Sequence, residues 1–143
     1  MGRLARLLRL SREERVVLVE AWALFLLLEF LLRLLSFTGV LALARRHPRL
    51  PPRPSAPSVA RLVWLVEVAG RYATPTPTCL KHALVLSWLL RRRGVVTTLR
   101  IGVARRGSEL GAHAWLEQGG EVVFGDAQRD GYEPLLAVEP EAP

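Results

Sequence analysis

The amino-acid sequence predicts an α+β fold in which a series of helices precedes a small antiparallel sheet. Apolar residues recur at helical spacing up to residue 90, whereas β-branched residues dominate residues 95–103. Further along, two short apolar runs flank Gly119 and Gly120, a pair typical of tight hairpin turns. With 143 residues, half of them apolar, the chain has the size of one ordinary domain and enough apolar side chains to bury a core.

The first predicted element is one long apolar helix at the N-terminus. Ser11 and Glu14 have the spacing of a capping box immediately before the apolar residues 16–37, and Gly39 is placed to end the helix. Such a helix would run for about seven turns, with hydrophobic side chains on most of its circumference. We therefore assign residues 1–46 to an apolar helical extension.

Three charged residues, Glu20, Glu29 and Arg33, interrupt this apolar run. Each would cost roughly 2.5 to 3.5 kcal/mol near the centre of a bilayer, so we do not expect a transmembrane span. Glu29 and Arg33 also stand four residues apart in the order that favours an ion pair along a helix. An apolar helix must still be covered by something. We expect the catalytic domain and a partner protein to cover it, with peripheral membrane contact as the alternative.

A proline-rich linker is predicted to follow the first helix. Residues 47–57 contain five prolines, a composition that favours extended backbone over helix. His47 lies in this segment, where we expect a solvated side chain rather than a functional one. The remaining residues, 58–143, are assigned to one catalytic domain.

Two helices open that domain. Residues 58–72 have the apolar spacing of a helix, which Gly70 is expected to close. After a threonine- and proline-rich approach, Cys79 begins a second helix that Thr78 can cap and Gly94 can terminate. The unpaired N–H groups of a first helical turn, and the positive end of the helix dipole, stabilise a thiolate and the oxyanion formed when it attacks a carbonyl. Cys79 is therefore the candidate nucleophile.

Cys79 is also the one cysteine of the chain. A single cysteine cannot form an intramolecular disulfide or a multi-cysteine zinc site, so the sequence indicates a cytoplasmic protein whose thiol is available for chemistry. We expect neither a metal nor an organic cofactor.

The net charge of +7 comes from 20 basic and 13 acidic residues. Such an excess suits nucleic acid, anionic lipid or an acidic peptide, but the arginine clusters accompany no recognisable nucleic-acid-binding motif or aromatic platform. We therefore do not expect nucleic acid as a partner, and a solvated basic face fits the charge equally well.

The predicted hairpin places a histidine opposite an aspartate. If the two glycines form a two-residue loop, Gln118 faces Glu121, and counting outward from that pair brings His113 opposite Asp126. Directly opposed residues share one face of the sheet, with Cβ atoms about 4.5 to 5.5 Å apart, close enough for a carboxylate to accept a hydrogen bond from an imidazole. The sequence therefore predicts a triad in which Cys79 attacks, His113 is its base and Asp126 orients the histidine.

Two alternatives to these assignments stay open. His82, three residues after Cys79 on the same helix, is a rival base, although no comparable carboxylate accompanies it. Asp130 is the fallback acid, because a three-residue loop would shift the register of the hairpin.

Three motifs carry a resemblance to a known family: Thr78-Cys79-Leu80, Gly111-Ala112-His113-Ala114-Trp115 and Gly125-Asp126. At these positions the chain resembles the leader peptidases of lasso-peptide biosynthesis, a branch of the transglutaminase-like cysteine peptidases. The resemblance extends over residues 58–136 and includes Tyr132 and Leu135 beyond the aspartate. It implies a papain/transglutaminase-like core, in which the helix that carries the cysteine packs on a small antiparallel sheet that carries the histidine and the aspartate.

The resemblance also implies a function. Peptidases of this kind remove the leader from a ribosomally made precursor peptide before a separate ATP-dependent cyclase closes the macrolactam. Some of them carry a precursor-recognition domain in the same chain, and 143 residues leave no room for one here. The expected partners are therefore the precursor peptide as substrate, a separate recognition protein and the cyclase.

Two other functions fit parts of the sequence. A transglutaminase-like acyltransferase would use the same triad but would transfer the acyl group to an amine. A non-catalytic, membrane-associated adaptor would use the basic, apolar N-terminal segment and would need no triad.

Overall fold

The computed structural model of the protein describes residues 5, 8–46, 51, 57–76, 78–125 and 131–139. Within these residues the chain forms four helices and one four-stranded sheet, an α+β architecture consistent with a transglutaminase-like core. The helices are α1 (Arg12–Leu34), α2 (Phe37–Arg46), α3 (Val59–Ala73) and α4 (Cys79–Arg92), and the strands are β1 (Thr98–Arg106), β2 (Glu109–Gln118), β3 (Glu121–Phe124) and β4 (Glu133–Val138). The sheet is antiparallel throughout, in the order β3-β2-β1-β4.

The predicted single long apolar helix at the N-terminus is wrong. Helix α1 begins at the predicted capping box, where Ser11 Oγ accepts from the Glu14 N–H and the Glu14 carboxylate accepts from the Ser11 N–H. It ends at Leu34 because the next residue, Leu35, is extended, with φ −114° and ψ 154°. A separate helix, α2, then runs through Gly39, the residue that was expected to end the first helix.

Helix α1 packs against the rest of the helical layer. One side of it is buried against the other helices, and its charged residues Glu20 and Glu29 form ion pairs with α4. The outward side exposes apolar side chains, of which Val19, Trp22 and Phe30 are examples. None of the described helices is both long and apolar enough to span a bilayer.

Helix α4 is the centre of the fold, because it is packed between the other helices and the sheet. Four consecutive residues, 83–86, are fully buried, so apolar contacts surround the helix on most sides. Strands β1 and β2 contribute Leu99, Ala114 and Leu116 to the same core. At the start of α4, Cys79 and Leu80 are partly buried and pack against this core.

The end of α4 also explains where the sheet begins. Gly94 adopts φ +79°, and the Val95 N–H bonds the Leu90 carbonyl at 2.9 Å, as in the helix ends that glycine favours. This turn uses the first residues of the predicted strand 95–103, so β1 instead occupies Thr98–Arg106. The helix stop was predicted correctly, whereas the strand starts three residues later than predicted.

The predicted linker, residues 47–57, lies outside the described residues apart from Pro51 and Pro57. The division of the chain into an extension at 1–46, that linker and a catalytic domain at 58–143 stays a prediction.

Candidate functional site

Cys79 is the first residue of helix α4, as the sequence predicted. Thr78 caps the helix: its hydroxyl accepts from the Lys81 N–H at 3.3 Å and its carbonyl accepts from the His82 N–H at 3.1 Å. The Cys79 side chain is half-buried and packs against the apolar core. Helix geometry leaves the N–H groups of Cys79 and Leu80 as the remaining donors of the first turn, next to the thiol.

His113 lies in the middle of β2 and only 5% of its surface is exposed. Its Nε2 is 2.9 Å from the carbonyl oxygen of Gly125. A carbonyl can only accept, so Nε2 carries the proton and Nδ1 is the nitrogen that can accept one. The rings of Trp115 and Tyr132 flank the imidazole, with centroids 6.1 and 5.4 Å away. The site therefore holds a buried imidazole whose Nε2–H is fixed on the Gly125 carbonyl.

The two faces of β2 have different surroundings. Ala114 and Leu116 belong to the core that the helices cover, whereas the buried Trp115 does not. Side chains alternate along a strand, so His113 lies with Trp115 on the face turned away from the helices. Among the described residues, no hydrogen bond joins His113 to Cys79. The structure thus brings the histidine to Gly125 and does not bring it into hydrogen-bond contact with the thiol.

The register of the hairpin follows the prediction for two pairs and then departs from it. Gln118 pairs with Glu121 and Glu117 with Val122, as a two-residue loop requires. Leu116 then pairs with Phe124, because a β-bulge inserts one extra residue into β3. A slip of one residue exchanges the two faces of a strand, so the counting argument no longer sets an aspartate beside the histidine.

Asp126, the predicted orienting acid, and Asp130, the fallback acid, both lie outside the described residues. The described residue next to Asp126 in the chain is Gly125, whose φ of +87° turns the backbone immediately after β3. An added Cβ at Gly125 would come within 2.9 Å of the Trp115 Cβ. This glycine is therefore required for the close approach that brings its carbonyl to His113.

His82, the rival base, is packed inside the helical layer. Its Nδ1 is 2.8 Å from the Thr78 carbonyl, so Nδ1 carries the proton and Nε2 is the accepting nitrogen. That Nε2 lies directly over Gly70, where an added Cβ would overlap it. The rings of Phe25 and Phe124 are its aromatic neighbours, at centroid distances of 5.1 and 6.3 Å. The imidazole fills the space that the missing side chain of Gly70 leaves.

Gly70 therefore has a different function from the predicted one. It does not end a helix, because α3 continues through it to Ala73. A glycine is required there because the His82 ring approaches the α3 backbone at that point.

A polar cluster next to Cys79 was not found from the sequence. Lys81 Nζ lies 2.5 Å from a Glu29 carboxylate oxygen, 3.3 Å from the Thr74 hydroxyl and 3.0 Å from the Thr76 carbonyl. The Thr74 hydroxyl also donates to Glu29. The hydrogen bond from Lys81, followed by that from Thr74, holds the pKa of Glu29 below its ordinary value. The expected partner of Glu29 was Arg33, whereas its carboxylate bonds across to α4.

One signal could have pointed to this cluster. Lys81 is the only lysine of the chain and stands in the first turn of a helix, where the helix dipole disfavours a cation. A cation in that position implies an acidic partner elsewhere in the fold. Within the described part of the chain, no three His, Cys, Asp or Glu side chains converge as metal ligands would.

Comparison with known proteins supports the architecture. A family model described as the transglutaminase-like superfamily matches residues 22–137, which is most of the chain. The match begins inside α1 and ends inside β4, so it includes all the described strands and both candidate residues Cys79 and His113. No curated protein and no solved structure matches the chain.

Proposed function

We propose that this chain, which belongs to the transglutaminase-like superfamily, is a cysteine peptidase that removes the leader from a ribosomally synthesised lasso precursor peptide. Members of the superfamily are typically cysteine hydrolases or acyltransferases. The observation that carries the proposal is the position of the one cysteine, Cys79, at the first residue of a capped and buried helix. The leader substrate comes from the resemblance of the three sequence motifs to lasso leader peptidases.

In the proposed reaction, the Cys79 thiolate attacks the carbonyl carbon of the last leader residue. The oxyanion that forms accepts hydrogen bonds from the N–H groups of Cys79 and Leu80 at the start of α4. The C–N bond then breaks, and the amine of the core peptide leaves with the proton that His113 took from the thiol. Water attacks the resulting thioester, which releases the leader as a carboxylic acid and restores the thiol.

His113 is proposed as the base because its tautomer suits that task. With the Nε2 proton donated to Gly125, the lone pair of Nδ1 is available to take the thiol proton. Because His113 lies on the face of β2 turned away from the helices, the proposal requires a rearrangement on substrate binding that brings the imidazole within hydrogen-bond reach of the Cys79 thiol. We assign to Asp126 the part of stabilising the imidazolium that forms.

The proposed partners are a separate precursor-recognition protein and the lasso cyclase. Exposed apolar side chains on the outward side of α1, among them Val19, Trp22 and Phe30, support docking of the recognition protein there. Holding the leader on a docked protein would raise its effective concentration at Cys79. Cleavage of the precursor is therefore expected to be slow without the recognition protein and faster with it.

The test is mass spectrometry of a candidate lasso precursor incubated with the chain and its recognition protein. We expect the masses of free leader and free core peptide, and we expect the Cys79→Ala variant to produce neither while keeping its circular dichroism spectrum. A product heavier by an added amine would instead assign acyl transfer. Cleavage by Cys79→Ala at the parental rate would overturn the assignment of the nucleophile.

A further inference from the structure

Two sets of ion pairs join α1 to α4, one at each end of α4. At its start, Glu29 of α1 pairs with Lys81 at 2.5 Å. At its end, Glu20 of α1 pairs with Arg92 at 2.7 Å and with Arg93, the C-cap residue, at 2.8 Å. The side chains of Lys81 and Glu29 are only 12% and 20% exposed, and those of Arg93 and Glu20 are 13% and 18% exposed. The Lys81–Glu29 and Arg93–Glu20 pairs are therefore similarly buried and lie at opposite ends of α4, whereas the Arg92 side chain is 38% exposed.

The helix dipole distinguishes the two ends. Arg92 and Arg93 lie where the dipole favours cations, so they stabilise α4 even without Glu20. Lys81 lies where the dipole disfavours a cation. The Glu29 carboxylate offsets that penalty from outside the helix. Lys81 therefore does not stabilise the helix in which it stands. We look for its role in the contacts that its ammonium makes outside the helix.

That role is indicated by the other contacts of the ammonium. Besides Glu29, Lys81 Nζ reaches the Thr76 carbonyl at 3.0 Å, the Thr76 hydroxyl at 3.1 Å and the Thr74 hydroxyl at 3.3 Å. Thr74 and Thr76 belong to the short segment that leads into Cys79. Two prolines of this segment, Pro75 and Pro77, have no N–H to donate, so it has few hydrogen bonds of its own to offer.

We propose that Glu29 and Lys81 are positioning residues for Cys79, which hold the approach segment and the first turn of α4 against α1. The inference rests on the proposed function in taking Cys79 as the nucleophile. The thiol and the N–H groups that receive the oxyanion are all in that first turn, so a small rotation of the turn misaligns both. A displacement of about 1 Å in such a site can lower a rate by about 100-fold.

The opposing explanation is that the pair only adds stability. Removing one partner of a buried ion pair destabilises a protein because it leaves the other charge uncompensated, so Glu29→Gln and Glu20→Gln would then act alike. The two explanations predict different results for the two ends of α4. Only a positioning role predicts that cleavage slows when the pair at the start of α4 is broken and not when the pair at its end is broken. Glu20→Gln is therefore the matched control.

The experiment compares the parent with Glu29→Gln, Lys81→Met, the charge-swapped Glu29→Lys/Lys81→Glu and Glu20→Gln. Hydrogen–deuterium exchange followed by mass spectrometry measures protection of the peptides that cover residues 74–82 and 88–95. Single-turnover cleavage at saturating precursor, with the recognition protein present, measures the chemical step. Thermal unfolding reports how much stability each variant loses.

We expect Glu29→Gln and Lys81→Met to lose protection in residues 74–82 and to cleave at least about tenfold more slowly at saturation. The charge-swapped variant should recover only part of both, because it restores the ion pair between α1 and α4, whereas a glutamate at residue 81 cannot donate to the Thr76 carbonyl. Glu20→Gln should lose protection in residues 88–95 and cleave within about twofold of the parent at a similar loss of thermal stability.

Two results overturn the inference: unchanged protection of residues 74–82 in Glu29→Gln, or equal losses of cleavage rate in Glu29→Gln and Glu20→Gln. If the parent cleaves no precursor, the proposed function fails, and the exchange data still decide whether this pair holds the first turn of α4.

Discussion

His82 and His113 have similar hydrogen bonds but occupy different regions of the molecule. Each imidazole donates one ring N–H to a backbone carbonyl, His82 to Thr78 and His113 to Gly125. The accepting nitrogen of His82 lies over Gly70 within the helical layer. The accepting nitrogen of His113 belongs to a ring on the opposite side of the sheet, beside Trp115.

The difference shows that closeness in sequence to the nucleophile does not make a base. His82 is three residues from Cys79, yet its accepting nitrogen is turned onto a helix backbone and its ring is next to two phenyl rings. A ring in such surroundings acts as a packing group, because its accepting nitrogen faces the α3 backbone. The base is assigned to His113 on other grounds: the Gly125 carbonyl accepts its Nε2 proton, so Nδ1 is free to accept one, and Gly125 adjoins the proposed acid Asp126 in the chain.

The largest expected effect is the difference in cleavage rate between the His113→Ala and His82→Ala variants. His113→Ala should lower the single-turnover cleavage rate by about 1,000-fold or more, because the base that accepts the thiol proton is lost. His82→Ala should change the rate by less than about threefold once the folded fraction is taken into account, and should instead lower the free energy of unfolding by about 2 kcal/mol through lost packing. Circular dichroism and urea unfolding measure the folded fraction of each.

The opposite ranking would exchange the roles of the two histidines. A cleavage rate that collapses in folded His82→Ala and survives in His113→Ala would make His82 the base, and would mean that its ring leaves Gly70 when substrate binds.

A smaller effect is expected for the acid that orients His113. Asp126→Asn should lower the cleavage rate by roughly 100-fold without unfolding the protein, because a neutral amide cannot stabilise the imidazolium. Asp130→Asn is the control and should cleave near the parental rate. If both variants cleave normally, the Gly125 carbonyl alone orients the ring, and the assignment of an acid to the site is wrong.

The sequence predicted those features that are encoded within a few residues. The helix starts at Ser11 and Thr78 and the stop at Gly94 follow from local capping chemistry, and all three are present. The two-glycine turn of the hairpin is likewise local, and its first two pairs follow the predicted register. Short-range rules were therefore sufficient to place Cys79 at a helix start and His113 in a strand.

The sequence did not predict features that depend on distant contacts. The bulge in β3 falls among ordinary strand residues and has no turn residue to mark it. Glu29 and Lys81 are 52 positions apart, so no local pattern pairs them. The break in the N-terminal helix at Leu35 lies in an apolar run that helical periodicity alone would continue.

Gly70 provides the smallest and most direct test of the packing assigned to His82. In an ordinary helix interior, Gly→Ala stabilises by about 1 kcal/mol, because alanine is the better helix former. At Gly70 the new methyl group would overlap His82 Nε2 and come within 2.9 Å of Phe25 Cζ. Overpacking of this kind costs about 1 to 3 kcal/mol, so we expect Gly70→Ala to lower the free energy of unfolding by about 1 kcal/mol net.

Gly39 is the matched control, since it is also a helical glycine and an added Cβ would meet only Leu35 Cβ and Ser36 Oγ, both at 3.5 Å. Gly39→Ala should therefore stabilise the protein by about 0.5 to 1 kcal/mol in urea unfolding. In a His82→Ala background the overlap at residue 70 is removed, and Gly70→Ala should become neutral or stabilising, a coupling that a double-mutant cycle measures. Equal stabilisation by both glycine substitutions, with no coupling to residue 82, would show that His82 is free to leave the α3 backbone and would remove the main reason for excluding it as the base.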